Sequence, residues 1–394
     1  MKYFPFKSYI KITYYVFKQI IRYLVAYIAG GVKGISIYKH KEVKIKKIYS
    51  SSKFIMPSIK DIDGKQKFSS YQAIVPEANI LEIKNGIFFP GREEVFTSDF
   101  KVLKEITVQK SNVKIGINKK KLSEYNFLKG KVLCLSISGV ERNYYHFNVE
   151  FLTRWHLFEA SKLDYDFVDF DEKNNFQKQF IELLGIPKKK LIPDSLRAKA
   201  IKADALIVPS LGSDWKYFTM PKGKIHYMKQ HSPIWFKKVH KNFRNKSKKF
   251  DRIYISRSKA NRRKVSNEKD IIELMERYGF KIIFLEDFSV KDQISIFNNA
   301  KIIIAPHGAG IVNIVYCSNP FRLLEIYPQN YFDSSFRILA QVLDCDYHCL
   351  VGETEEISNM DPQKENVNID YKKLEKWLNK FASVDGIIKN ENLS

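Results

Sequence analysis

Acidic residues are nearly missing from two stretches of this 394-residue chain. Residues 1–60 hold 13 Lys/Arg and one acid, Glu42, and residues 216–264 hold 17 Lys/Arg and one acid, Asp251. These stretches carry +12 and +16 of the net +24, so the remainder is slightly acidic at −4. That excludes a uniformly basic chain and leaves two separate segments that meet something negative. No nucleic-acid-binding motif accompanies them, so nucleic acid is not expected as a partner. Cysteine is scarce as well. Cys134, Cys317, Cys345 and Cys349 fall at no metal-ligand spacing and form no disulfide framework, which fits buried thiols in a reducing compartment. Long apolar runs are lacking: the uncharged stretch after Arg22 ends at Val32, short of the ~20 residues that span a bilayer. There is no secretory cleavage site, internal repeat or low-complexity segment.

What is present reads as α/β. Strand-like runs at 131–138, 166–170 and 205–208, and then at 251–256, 281–285, 302–305 and 322–327, alternate with helical runs at 143–160, 176–184, 267–278 and 289–299. Such alternation implies a parallel, doubly wound sheet, whose ligands sit beyond the carboxyl ends of its strands. The division expected is a basic arm (1–48), a first α/β domain (49–235), a linker (236–250), a second α/β domain (251–350) and a C-terminal helix and tail (351–394). In the arm, Lys7, Lys11, Lys18 and Arg22 fall within roughly 60° of one another on a helix. Apolar and aromatic residues fill most of the remainder, which suits an interfacial helix on an anionic membrane surface.

The most informative stretch is Ile302–Asn313, IIIAPHGAGIVN. A buried strand runs into a turn at His307, Gly308, Ala309 and Gly310 and then into a helix whose first amides are unpaired, an arrangement that binds phosphate. Two other groups join it. Arg257, in YISR, falls at the carboxyl end of a strand, where a guanidinium grips a diphosphate with two parallel hydrogen bonds. In NYYHFNVEFLTR, His146, Glu150 and Arg154 are four apart and share a helix face. A histidine–carboxylate pair serves as a general base and its orienter, and Glu150 itself stays open as the base. Glu325, at the end of the next strand, is a candidate acceptor for ribose hydroxyls. Lys259 and Arg262 read as a solvated loop. The pairs Asp164/Asp166, Asp169/Asp171 and Asp344/Asp346 have a metal-binding spacing, but the first two lie in an alternating strand-like run and read as solvent-facing, and no metal is expected.

Three blocks, NYYHFNVEFLTR, the run from YISR through IIIAPHGAGIVNIVYC, and LLEIYP, resemble glycosyltransferase family 61 in order and spacing over roughly residues 130–330. Where family members often read NYYHWLLD, Phe147 stands for the tryptophan and Glu150 for the aspartate. The basic pair before Asn-Glu falls on Arg263 and Lys264. The resemblance implies a GT-B architecture, two Rossmann-like domains facing across a cleft. It also implies metal-independent, inverting transfer of a sugar from a nucleotide sugar to a glycan or lipid-linked glycan acceptor, with no cofactor. On it, His146 and Glu150 are the catalytic pair. Arg257, Arg263, Lys264, His307, Gly308, Ala309, Gly310, Asn313 and Glu325 bind the donor, and Asn143, Tyr145 and Arg154 line the acceptor side. Surface polysaccharide assembly at the cytoplasmic face of a membrane is the expected setting. The competing readings are a non-catalytic binder of nucleic acid or acidic polymer and a nucleotide-sugar epimerase on the same fold.

Overall fold

The structure, a computed structural model, describes residues 34–36, 40–75, 77–92, 94–103, 119–137, 142–210, 250–318, 320–354 and 362–382. Most of the basic arm, the 236–249 part of the linker, the 216–249 part of the second basic stretch and the tail beyond 382 lie outside these residues. The fold is mixed α/β, built on two large sheets.

The first sheet has nine strands. Tyr125–Cys134 has Phe167–Asp169 and Ala200–Pro209 parallel to it on either side. Beyond Ala200–Pro209 the neighbours turn antiparallel: Ala78–Lys84 and Ile87–Phe88 both pair with it, and Val95–Phe96 pairs with Ile87–Phe88. The doubly wound expectation therefore fails for half of this sheet. A parallel neighbour needs a crossover of a dozen or more residues, and only short turns separate the strands between 78 and 96. Val43–Tyr49 adds antiparallel to Ala78–Lys84. Residues 43–48, assigned to the membrane arm, are thus sheet, and Lys46 Nζ donates to Ser161 O at 2.6 Å.

The second sheet is parallel throughout, in the order Lys281–Ile283, Arg252–Ile255, Ile302–Pro306, Arg322–Tyr327, Asp346–Val351. Its first strand in sequence lies second in space, so the winding reverses between Arg252–Ile255 and Ile302–Pro306. A ligand crevice opens at such a reversal. The helix Val290–Asn299 starts at Ser289, whose hydroxyl accepts from Asp292 N at 3.1 Å. The expected N-cap is therefore present.

Two segments cross the expected domain boundaries. Residues 52–75 form two nested antiparallel strand pairs that reach the second sheet: Ile62 N donates to Cys349 O, and Arg337 reaches Pro57 O and Ser69 O. The helix Tyr371–Phe381, set apart with the tail, buries Leu374, Trp377 and Leu378 against Tyr254 and Ile304. One apolar cluster joins the halves. It takes Leu133 and Ile207 from the first sheet, Phe147 and Phe151 from the helix between, and Ile255, Ile303 and Ile311 from the second half. Polar ties reinforce it: Tyr144 Oη donates to Asn313 Oδ1 at 2.7 Å, and Tyr316 Oη to Asn148 Oδ1 at 2.8 Å. Asn313 is fully buried, and its Nδ2 donates to Gln293 Oε1. With both ends of its amide engaged within the protein, it couples the halves and does not face a donor.

The aspartate pairs divide. Asp164, Asp166, Asp344 and Asp346 are exposed. Asp169 and Asp171 are buried, contrary to the solvent-facing reading, because Arg197 and Arg142 neutralise them at 2.9 and 2.7 Å. No helix among the described residues is long and apolar enough to cross a membrane.

Candidate active site

The helical run 144–161 carries the first wall. Asn143 caps it, its Oδ1 accepting from Tyr145 N at 2.9 Å. Tyr144–His146 begins as α-helix, Phe147–Phe151 widens into a π turn, and Leu152–Ser161 resumes α. The wide turn is closed by Leu152 N donating to Phe147 O five residues back. Such turns concentrate at functional sites. Here the turn accompanies the stacking of the Phe147 and Phe151 rings at 4.9 Å and leaves His146 and Glu150 together. His146 Nδ1 lies 2.8 Å from Glu150 Oε1. Glu150 is 1% exposed, so it stands behind the imidazole and away from the open space.

Arg154 does not share that face. The π turn offsets the α turns after it, and the guanidinium enters the core. There it donates to Cys134 O, Leu135 O, Ser136 O and Pro209 O at 2.7–3.1 Å. Its role is to tie this helix to the carboxyl ends of two strands, which corrects its assignment to the acceptor side.

The second wall comes from the second sheet. His307 follows Ile302–Pro306 and is nearly buried. Its Nδ1 contacts Glu325 Oε1 at 2.5 Å, Tyr347 Oη donates to Glu325 Oε2 at 2.7 Å, and its ring stacks on Tyr327 at 5.2 Å. Glu325 is 0% exposed. Both of its oxygens are engaged, so it orients His307 and does not accept from a ribose. The site thus holds two imidazole–carboxylate pairs, one from each half.

Between them lies a cavity of about 310 Å³, lined by Asn143, Tyr145 and His146 on one side and by Arg257, Arg263 and His307 on the other. Arg262, Gly308 and Ala309 also reach it. Burial pushes the Tyr145 hydroxyl well above its ordinary range. Burial, and next the charge of Arg263, hold the Arg257 guanidinium down to about 10. It remains a cation at neutral pH. Arg257 Nε is buried without a hydrogen-bond partner, and Nη2 donates to Arg262 O. Arg263, also lowered by burial, donates through Nε to His307 O and through Nη1 to Gln363 O. Arginines packed this way repel one another, and an anion between them removes the penalty.

The glycine turn differs in its reason from the expectation. Gly308 is extended at φ 179°, and the helix that follows, Ala309–Tyr316, is 3₁₀. The glycine is there for room: a Cβ at Gly308 would overlap Arg257 Nη1 and lie 2.6 Å from its Cζ. Gly308→Ala is therefore expected to displace Arg257 and weaken diphosphate binding about tenfold. Titration calorimetry with pyrophosphate measures this, and unchanged affinity would show that Arg257 does not seat on Gly308.

Lys264 is exposed and does not line the cavity; its backbone pairs with residues 366–367, leaving the charge outside. Lys259 pairs with Asp287 at the surface, as a solvated lysine does. Tyr331, Asp333, Ser335 and Phe336 line the cavity and escaped the sequence reading. Their signal was position: they follow the carboxyl end of Arg322–Tyr327, where ligands of such sheets lie. Gln363, from a distant loop, had no such signal.

Compared with known families, residues 144–324 match the model described as Glycosyltransferase 61. No curated protein matches the chain.

Proposed function

Residues 144–324 belong to the glycosyltransferase 61 family, and from that premise we propose that the cavity is where an acceptor hydroxyl displaces a nucleoside diphosphate from a sugar in one inverting step. The observation that carries the reading is the pairing of walls: an imidazole backed by a buried carboxylate faces a cluster of arginines. The acceptor oxygen attacks the anomeric carbon as the bond from that carbon to the phosphate oxygen breaks, and that electron pair leaves with the diphosphate. His146 Nε2 takes the acceptor proton. Glu150, on Nδ1, holds the tautomer and stabilises the imidazolium. Arg257, Arg263, His307 and the first amides after Gly308 receive the negative charge of the leaving group. This is work that a divalent metal can otherwise do, so a chelator is expected to leave the rate unchanged. A displacement in one step inverts the anomeric carbon, and we read the two halves as a GT-B pair.

The donor is a nucleotide sugar and the acceptor a glycan, one that we propose is lipid-linked and destined for surface polysaccharide. The cluster Lys7, Lys11, Lys18 and Arg22 favours a place on the cytoplasmic face of an anionic membrane. A melting-temperature screen against nucleotide sugars tests the reading. One donor should raise the transition temperature in a concentration-dependent way. A flat response to every nucleotide sugar and nucleoside diphosphate would contradict it.

A further inference from the structure

A second cavity, about 400 Å³, lies at the amino end of Ala200–Pro209 in the first sheet. The helix that bears His146 is tied by Arg154 to the opposite, carboxyl end of this strand and of Tyr125–Cys134. Ala200–Pro209 is ten residues long, so its two ends stand ~30 Å apart. The second cavity is therefore remote from the reaction chemistry. Its lining is mainly cationic: Arg92, Lys121, Arg197 and Lys199 face one acid, Glu124. Arg197 is partly neutralised by Asp169 at 2.9 Å, and the Arg92 guanidinium lies over the Phe89 ring.

Two aromatic side chains stand exposed beside this charge. Glu124 leads directly into Tyr125–Cys134, where Tyr125 and Phe127 are 38% and 56% exposed. The Lys202 ammonium lies 5.2 Å from the centre of the Tyr125 ring. Amphipathic aromatics next to lysines suit the boundary between water and lipid.

One row of the sheet links this patch to the point where the basic arm enters. Phe127 pairs with Lys202, Lys202 with Ile87, Ile87 with Phe96, Phe96 with Val102, and Val102 with Gly34. Five such strand steps span roughly 25 Å. The 33 residues before Gly34 hold six Lys/Arg and no acid. The arm thus has the same sign as the patch, and like charges disfavour its settling there. An anionic surface outside the protein satisfies both.

We infer that the amino end of the first sheet docks on an anionic phospholipid bilayer, with a headgroup phosphate in the second cavity and Tyr125 and Phe127 in the headgroup layer. The arm and the patch then make two contacts, which orient the protein where one would let it swivel. An acceptor reaches the reaction cavity through a glycan that spans the height of the sheet.

Co-sedimentation of full-length protein with vesicles tests this, using phosphatidylcholine alone and phosphatidylcholine with phosphatidylglycerol. The wild type should prefer the anionic vesicles. The double variant Arg92→Glu, Lys199→Glu should bind them at least about tenfold more weakly. A control, Lys269→Glu, Lys376→Glu, makes the same change in net charge at exposed lysines of the second half and should bind as wild type does. Phe127→Ser should also weaken binding while leaving its salt dependence unchanged. All these variants should keep wild-type nucleoside diphosphate affinity, so the docking surface and the transfer reading stand or fall separately. Equal losses in the two double variants would mean a general charge effect. Full vesicle affinity in Arg92→Glu, Lys199→Glu would leave the arm as the sole contact. Either result, or a wild type with no preference for anionic vesicles, would overturn the docking surface.

Discussion

His146→Ala is expected to lower the transfer rate by about 10²–10⁴-fold and to leave nucleoside diphosphate affinity unchanged. The expectation follows from where the imidazole stands. It lines the first cavity from the wall opposite the arginines, and its Nδ1 is taken by Glu150 at 2.8 Å. Proton uptake is therefore assigned to Nε2. Glu150 is buried behind the ring, which favours an orienting role for its carboxylate. Glu150→Gln should therefore slow transfer less than His146→Ala does, because the imidazole survives while its tautomer and charge lose their support. A Glu150→Gln variant as slow as His146→Ala, with the fold intact by circular dichroism, would mean that the carboxylate itself touches substrate.

Arg257→Ala is expected to cost about 10²–10³-fold in kcat, as loss of a preorganised donor to a developing charge does, and to weaken nucleoside diphosphate binding as well. Arg257 borders the first cavity, lies against Gly308, and has a buried Nε with no hydrogen-bond partner. A half-buried guanidinium with a spare donor beside Arg263 carries an unfavourable charge until an anion arrives. Arg257→Lys should recover little, since an ammonium cannot make two parallel bonds to a phosphate. Steady-state kinetics with a saturating acceptor separate the two effects. Full activity in Arg257→Lys would show that only the point charge matters.

The parts of this site legible in the sequence were those set by local spacing. His146 and Glu150 meet because one helical turn separates them. The strand, glycine turn and helix at 302–316 could be read because apolar runs and small residues alternate there. The rest depends on distant contacts. Arg154 was misread because the π turn at Phe147–Phe151 leaves no mark in a 3.6-residue pattern. Glu325 and Asn313 look like ligand groups in a string of residues, but they are buried by Tyr347 and by the Tyr144 and Gln293 side chains, which come from elsewhere in the chain. Gly308 was expected for a turn; its need appears only once Arg257, fifty-one residues earlier, is laid against it. The first sheet was the least legible, because its short antiparallel strands between 78 and 103 carry little periodicity.

The central claim is a division of labour across one cavity: proton removal on the His146 wall, diphosphate binding on the Arg257 wall. Titration calorimetry of one nucleoside diphosphate against wild type, His146→Ala and Arg257→Ala tests it most directly. The account predicts wild-type affinity for His146→Ala and at least a tenfold loss for Arg257→Ala. Equal losses in both variants, or full affinity in Arg257→Ala, would contradict it.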